Sequence, residues 1–245
     1  MELSVVVPTR NELGNVSFLV EGLRQALTGI DYEIIFVDDS NDGTDLLIAA
    51  LAVADDRLRL LHRERPSGGL AGAVAVGLKL ARGEYICVLD ADLQHPPTTV
   101  PELLAEARKH SADLVVASRY VPGGSAAGLG GPVRRGLSRI LRLLVRQLFS
   151  NRLGGVSDPL SGFFVVHRRV VSNCSLKATG YKILLEILVR CPWQTVREVP
   201  YRFEPRRFGV SKADLYQGLL FLEHLRRLIL DRPRCREAGK ESSTR

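Results

Sequence analysis

Cysteine is scarce in this chain, and its spacing does not suit metal binding. The four cysteines, Cys87, Cys174, Cys191 and Cys235, stand far apart with no CxxC or related pairing. That argues against a zinc site and a disulfide framework, and it fits a reducing compartment. The opening MELSVVVPT has no basic stretch or cleavage site before it, so no signal peptide is expected. No run of about 18 uncharged apolar residues occurs, so no membrane span is expected. The best candidate, Leu215 to Leu230, is broken by Glu223, His224, Arg226 and Arg227. Acidic residues are missing altogether from Leu114 to Ser157, a stretch that holds seven arginines, at 119, 134, 135, 139, 142, 146 and 152. That segment alone carries +7, the net charge of the whole chain. It calls for an anionic partner (lipid headgroup, phosphate or nucleic acid) unless it is simply a solvated helix face.

With 245 residues, 45% of them apolar, the chain can bury the core of one α/β domain. Strand and helix patterns alternate. Ser4–Pro8, Glu33–Asp38, Leu58–His62 and Glu84–Asp90 read as strands, and Asn15–Thr28, Thr44–Ala54 and Leu70–Ala81 as helices. Alternation of this kind predicts parallel strands joined by crossover helices, hence a doubly wound sheet. Pro101–His110 then reads as a helix, Asp113–Ala117 as a strand and Pro122 to Pro132 as a Gly-rich loop. Helices are expected over Val133–Phe149, Gly180–Val189 and Lys212–Leu230, and strands over Gly162–His167 and Thr195–Tyr201. A polar tail closes the chain.

In a doubly wound sheet, ligands sit at the carboxyl ends of the strands. Those ends are PTRNE, VDDSNDGT and DADLQHPP. In the last of these, Asp90 and Asp92 leave a strand one residue apart. They can share a hard divalent cation, Mg²⁺ or Mn²⁺, that keeps open positions for diphosphate oxygens and water, with Gln94 adding a carbonyl oxygen. The alternative is a polar strand-to-helix turn. In VDDSNDGT, Val37 and Asp39 face one side of the strand and Asp38 the other. A carboxylate there can accept from ribose hydroxyls or a base amide, whereas Asp42 and Thr44 suit a turn and helix cap. Glu12 is either a nucleotide contact or a first-turn dipole partner. Ser67-Gly68-Gly69-Leu70-Ala71-Gly72 lacks the Lys-Ser/Thr of a phosphate loop and reads as a helix start or close packing. His95 and Trp193 read as structural.

These clusters, with Ser118-Arg119-Tyr120, Asp158-Pro159-Leu160-Ser161-Gly162-Phe163, Tyr181-Lys182-Ile183-Leu184-Leu185-Glu186 and Arg206-Arg207-Phe208-Gly209-Val210-Ser211-Lys212, resemble the family-2 glycosyltransferases. The resemblance runs from about Leu3 to Lys212 and is specifically to the dolichyl-phosphate mannose synthase branch. It implies a GT-A fold, a Rossmann-like, mostly parallel sheet flanked by helices. A single catalytic domain would span 1–232, and 233–245 would be a disordered tail. It implies a nucleotide-sugar site at Pro8, Arg10, Glu12, Val37, Asp39, Asp90, Ala91, Asp92, Lys182, Arg206 and Lys212. The metal would sit on Asp90, Asp92 and Gln94, and the acceptor phosphate on Arg119, Arg134 and Ser138. Asp158 would orient one of these arginines or tune the metal's surroundings.

The activity implied is inverting transfer of mannose from GDP-mannose to dolichyl or polyprenyl phosphate, releasing GDP. Relatives using UDP-glucose or UDP-N-acetylhexosamines supply the alternative donors. A phosphate acceptor is already ionised near neutrality, so cations that position it matter more than a general base. On the Val133–Phe149 helix, Leu137, Ile140, Leu141, Leu144 and Leu148 fall on one face and Arg135, Arg139, Arg142 and Arg146 on the other. That pattern describes either an interfacial helix beside anionic lipid or a helix packed on the domain with its arginines in water. The last helix has its own apolar set, Leu215, Leu219, Leu222, Leu225 and Ile229. The expectation is a peripheral protein on the cytoplasmic face of a membrane, held by its amphipathic helices or by a small membrane-anchoring subunit. Two readings from other classes are a catalytically silent nucleotide-binding module and a basic nucleic-acid-binding protein. The arginine stretch lacks interleaved aromatics, so nucleic acid is not expected as a partner.

Overall fold

The structure, a computed structural model, describes residues 1–177, 181–208 and 215–230. Seven strands run in chain order as β1 (Leu3–Thr9), β2 (Tyr32–Asp38), β3 (Leu58–His62), β4 (Tyr85–Val88), β5 (Leu114–Ser118), β6 (Phe164–His167) and β7 (Val196–Pro200). The helices are α1 (Val16–Ala26), α2 (Thr44–Ala54), α3 (Gly69–Leu80), α4 (Thr99–Lys109), α5 (Pro132–Leu148), α6 (Arg168–Ser172), α7 (Ile183–Arg190) and α8 (Leu215–Leu230). The strands form one sheet in the order β3-β2-β1-β4-β6-β5-β7. Only β6 runs against its neighbours, antiparallel to both β4 and β5. This is the mostly parallel sheet flanked by helices that the alternating pattern predicts.

Every residue of β1 and β2 is buried, as the near-continuous apolar runs of strands covered on both faces require. One face packs on α1, α2 and α4 through Leu19, Leu23, Ile48 and Leu103. The other packs on α3, α5, α7 and α8 through Val74, Val145, Leu184 and Leu225. Helix α3 lies very close to the sheet: a Cβ at Gly77 would stand 2.3 Å from Val6 Cγ1. The glycine run ahead of α3 is a helix start, with Gly68 at φ 73° where a side chain is disfavoured. α6, five residues long, shows no readable periodicity and was not foreseen.

Three expectations need correction. First, Cys174 and Cys191 form a disulfide, with Cα atoms 5.3 Å apart. They are 17 positions apart in sequence, and only the return of the chain through α7 brings them together. Second, α8 is not an apolar face turned outward as a whole. Phe221, His224, Leu225 and Leu228 are buried, leaving Leu222 and Ile229 outside. The side chains of Leu215 and Leu219 and the tail 231–245 lie outside the described residues. Third, α5 does not divide into an apolar inner half and a basic outer half. It packs through Leu141, Val145 and Leu148, with Phe149 just beyond its end. Arg142 is turned inward with that face, while Leu137, Ile140, Leu143 and Leu144 are exposed.

Candidate active site

The carboxyl ends of β1 and β2 are locked together by Asp38. Wholly buried, it accepts from Thr9 Oγ1 (2.7 Å) and the Ser40 N–H (3.1 Å), and lies 2.9 Å from His62 Nδ1. The hydrogen bond to Asp38 raises the His62 pKa. Asp38 is therefore a structural tie, and Asp39 next to it has a different partner. Its carboxylate is held by Arg63, whose Nε donates at 2.7 Å and whose Nη2 takes the second oxygen. Arg63 also donates to the carbonyls of Ser67 (3.1 Å) and Gly69 (3.2 Å), tying the start of α3 to Asp39. Sequence reading passed over Arg63, although a cation just beyond β3 is the signal that would have found it.

On the β1 side, the Asn11 N–H donates to Ser40 Oγ (2.7 Å) and the Glu12 N–H to Thr44 Oγ1 (3.1 Å). Glu12 accepts from Asn15 Nδ2 at 2.7 Å and stands 3.9 Å from Arg206 Nη1. It thus joins the segment ahead of α1 to Arg206, and because α1 begins at Val16 with no acidic residue in its first turn, the first-turn dipole reading of Glu12 is corrected. Asp42 accepts from the Thr44 N–H at 3.1 Å, the turn role expected of it. Arg10 is exposed at the strand end. Pro8, Val37 and Ala91 are buried, Val37 against Gly77 of α3.

At the end of β4, Asp92 accepts from the Gln94 N–H (3.1 Å) and from Arg206 Nη2 (2.6 Å). Gln94 Nε2 donates to the Glu204 carbonyl at 3.0 Å, so its amide holds the Arg206 segment while its own oxygen stays available. His95 is buried and stacks on Phe163 at 5.0 Å between ring centroids. Its Nδ1 accepts the Asp90 N–H at 3.0 Å. Burial lowers its pKa to about 4, so the ring is neutral and shapes the loop as expected. Burial raises the pKa of Asp90, and burial together with Asp90 raises that of Asp92. Two carboxylates resisting ionisation side by side suit a hard divalent cation, whose charge would offset that cost. Gly162 fits closely there: a Cβ would lie 3.3 Å from Asp90 Oδ2. Among the described residues no group of three or more His, Cys, Asp or Glu that could hold a metal ion is found.

Past β5 the site turns basic. Arg119 and Asp158 are both buried and paired twice, through Nε (2.7 Å) and Nη2 (2.8 Å), and Asp158 also accepts the Arg119 N–H at 3.1 Å. Burial alone would lower the Arg119 pKa, but the bonds from Asp158 outweigh it and raise it. Glu198, unmarked by any sequence motif, accepts from the Ser157 N–H and Oγ (2.8 Å each) and the Asp158 N–H (3.2 Å), fixing this loop to β7. Ser138 Oγ lies 3.3 Å from the Tyr120 hydroxyl. Lys182 Nζ donates to the Leu160 carbonyl at 2.7 Å. Burial, then repulsion from Arg119, lowers its pKa to about 8, while Asp158 and Asp90 attract its charge.

The structure thus gathers Glu12, Asp92, Gln94 and Arg206 on one side and Arg119, Ser138 and Asp158 on the other, with Lys182 electrostatically coupled to Asp90 and Asp158. Arg134 sits in the first turn of α5, and its side chain lies outside the described residues, as does the whole of Lys212.

The chain is 36% identical over 94% of its length to a dolichol-phosphate mannosyltransferase of Pyrococcus furiosus, and spans 64% of that longer protein. It is 34% identical to the Saccharomyces cerevisiae dolichol-phosphate mannosyltransferase, covering 93% of this chain and 86% of that one. Among solved structures, a glucosyl-3-phosphoglycerate synthase from Mycobacterium tuberculosis, in complex with Mn²⁺ and UDP-glucose, superposes with a TM-score of 0.68 at 22% identity over 94% of this chain and 79% of that one. That likeness establishes the GT-A fold. Residues 4–174 match the sequence profile of Glycosyl transferase family 2, and with the carboxylates and cations ranged along the sheet's carboxyl edge, the chain belongs to that family.

Proposed function

We propose that the protein transfers mannose from GDP-mannose to a dolichyl or polyprenyl phosphate, with inversion at the anomeric carbon and release of GDP. The observation that carries this reading is the division of the site. The acidic β4 end, Asp90 and Asp92 with Arg206 against them, adjoins a basic acceptor side built on β5 and α5. Two relatives named dolichol-phosphate mannosyltransferase are 36% and 34% identical to the chain over the aligned residues.

Asp39, oriented by Arg63, accepts from the nucleoside. Asp90 and Asp92, with the Gln94 carbonyl oxygen, would hold Mg²⁺ or Mn²⁺, which would supply positive charge against the departing diphosphate. Arg206, paired with Asp92, would turn its guanidinium from the carboxylate to the phosphates of the donor. Lys182 adds a second cation, and Lys212 is assigned a third. The lipid phosphate needs no base, because its oxygen is already anionic. Arg119, held by Asp158, and Ser138 and Arg134 orient it for in-line attack.

No described helix is long and apolar enough to cross a membrane. Helix α5 instead exposes Leu137 (55%), Ile140 (64%) and Leu143 (55%) beside Arg139 and Arg146. Apolar side chains bordered by arginines suit the interface of an anionic bilayer. The catalytic domain would then lie peripherally on the cytoplasmic face, spanning 1–232, held by α5 and the outer edge of α8 or by a small anchoring subunit.

The test is a matrix of GDP-mannose, UDP-glucose and UDP-N-acetylglucosamine against polyprenyl phosphate, with Mg²⁺, Mn²⁺ or chelator. Lipid-linked mannose with GDP-mannose, abolished by chelator and by Asp92→Ala, is expected. Product only from a UDP-sugar would replace the donor assignment, and no product from any pair would end the reading.

A further inference from the structure

Two guanidinium groups turn inward on the acceptor side, and their electrostatic situations are opposite. Arg119 lies in a double ion pair with Asp158, so its charge is neutralised where it stands. Arg142 has no such partner among the described residues. Its Nη1 donates to a neutral carbonyl, that of Ser157, at 3.0 Å. Its guanidinium lies over the Tyr120 ring, 4.2 Å from the centroid. Its Nε is buried with no hydrogen-bond partner.

A part-buried charge without a counter-ion, carrying an unmade hydrogen bond, costs stability unless an anion completes it. The surroundings name the anion. Ser138 precedes Arg142 by four residues on α5, on the same helix face. Tyr120, the residue after Arg119, has its hydroxyl 3.3 Å from Ser138 Oγ and its ring under Arg142, which brings the two α5 positions together. Arg134 precedes Ser138 by the same four-residue step. A guanidinium, a serine hydroxyl and a phenol converging on one face are donors suited to phosphate oxygens.

Resting on the proposed acceptor, we propose that Arg142 supplies the uncompensated charge that binds the phosphate monoester of the lipid, beside Arg119, whose own charge is balanced by Asp158. The sequence reading places Arg142 on the basic face of the helix, opposite its leucines.

The test uses the full chain with a short-chain polyprenyl phosphate in neutral detergent, free of anionic lipid. Arg142→Gln is expected to raise KM for the lipid phosphate by about 10- to 100-fold, the size of one charge-assisted contact. Arg142→Lys, which keeps the charge, should recover most of that loss. GDP affinity, measured by calorimetry, should stay within about twofold in both variants, as a donor-side control of fold and site. The proposal is overturned if KM is unchanged in Arg142→Gln, if Arg142→Lys is no better than Arg142→Gln, or if GDP affinity falls in parallel. It is also overturned if the defect appears only on vesicles containing anionic lipid, because Arg142 would then serve membrane docking. Wild-type protein that forms no lipid-linked sugar would instead remove the proposed function itself.

Discussion

Replacing Asp158 by asparagine is the most exposing perturbation of this site. The carboxylate is fully buried and accepts three hydrogen bonds from Arg119, at 2.7, 2.8 and 3.1 Å. Asparagine keeps the shape but removes the charge and turns an amide donor toward a guanidinium that is itself only a donor. Arg119 would be left charged and about nine-tenths buried, its exposure being 8%. Removing one partner of a buried ion pair costs about 3–5 kcal/mol. For a domain of this size that lowers Tm by roughly 6–20 °C. Arg119→Met should cost a similar amount, because Asp158 is then the orphan. The double variant Arg119→Met/Asp158→Asn should lose clearly less than the sum, since no buried charge remains. Urea or thermal unfolding of the four proteins completes the cycle. If Asp158→Asn stays within about 1 kcal/mol of wild type, or the single losses simply add, then the pair does not stabilise the acceptor loop as the geometry requires.

Three further outcomes follow from the same structure. The folded His95 imidazole takes up its proton near pH 4 and the unfolded one near 6.5, so its contribution to stability is complete above pH 6.5 and is lost as pH falls toward 4. Unfolding free energies at pH 7 and pH 4.5 should differ by roughly 2–3 kcal/mol more in wild type than in His95→Gln, and an equal difference in both would remove His95 as the cause. With Lys182 titrating near 8, donor affinity should weaken as pH rises through 8. Lys182→Arg should flatten that profile, and a wild-type profile flat from pH 7 to 9 would count against a charged Lys182 on the diphosphate. Cys174→Ser/Cys191→Ser should cost about 3 kcal/mol under oxidising conditions and almost nothing relative to reduced wild type. Peptide mapping without reductant should find the cross-linked pair.

The site was only partly legible in the chain. Asp90 and Asp92 stood out because two carboxylates leaving a strand one residue apart suit a hard cation, whereas Arg206 was marked only by the family resemblance. Arg63, Glu198 and Ser157 did not. Each acts by completing a contact with a residue far away in sequence, Arg63 to Asp39 across β2 and β3, Glu198 to the Ser157 loop from β7. Arg142 was misplaced because a helical wheel sorts residues by type, and arginine counts as outward whatever it meets.

The sequence by itself determined the alternation of strands and helices, the apolar runs that bury β1 and β2, and the placing of polar clusters at strand ends. These depend on the period of side chains along a backbone and on local turn chemistry, which neighbours in sequence settle among themselves. Only the tertiary structure decided the reversed direction of β6, the meeting of Cys174 with Cys191, the inward turn of Arg142 and the neutralisation of Arg119 by Asp158. Each depends on which distant segments share a surface. A charge becomes counter-ion, scaffold or ligand according to what the folded chain brings within about 4 Å of it.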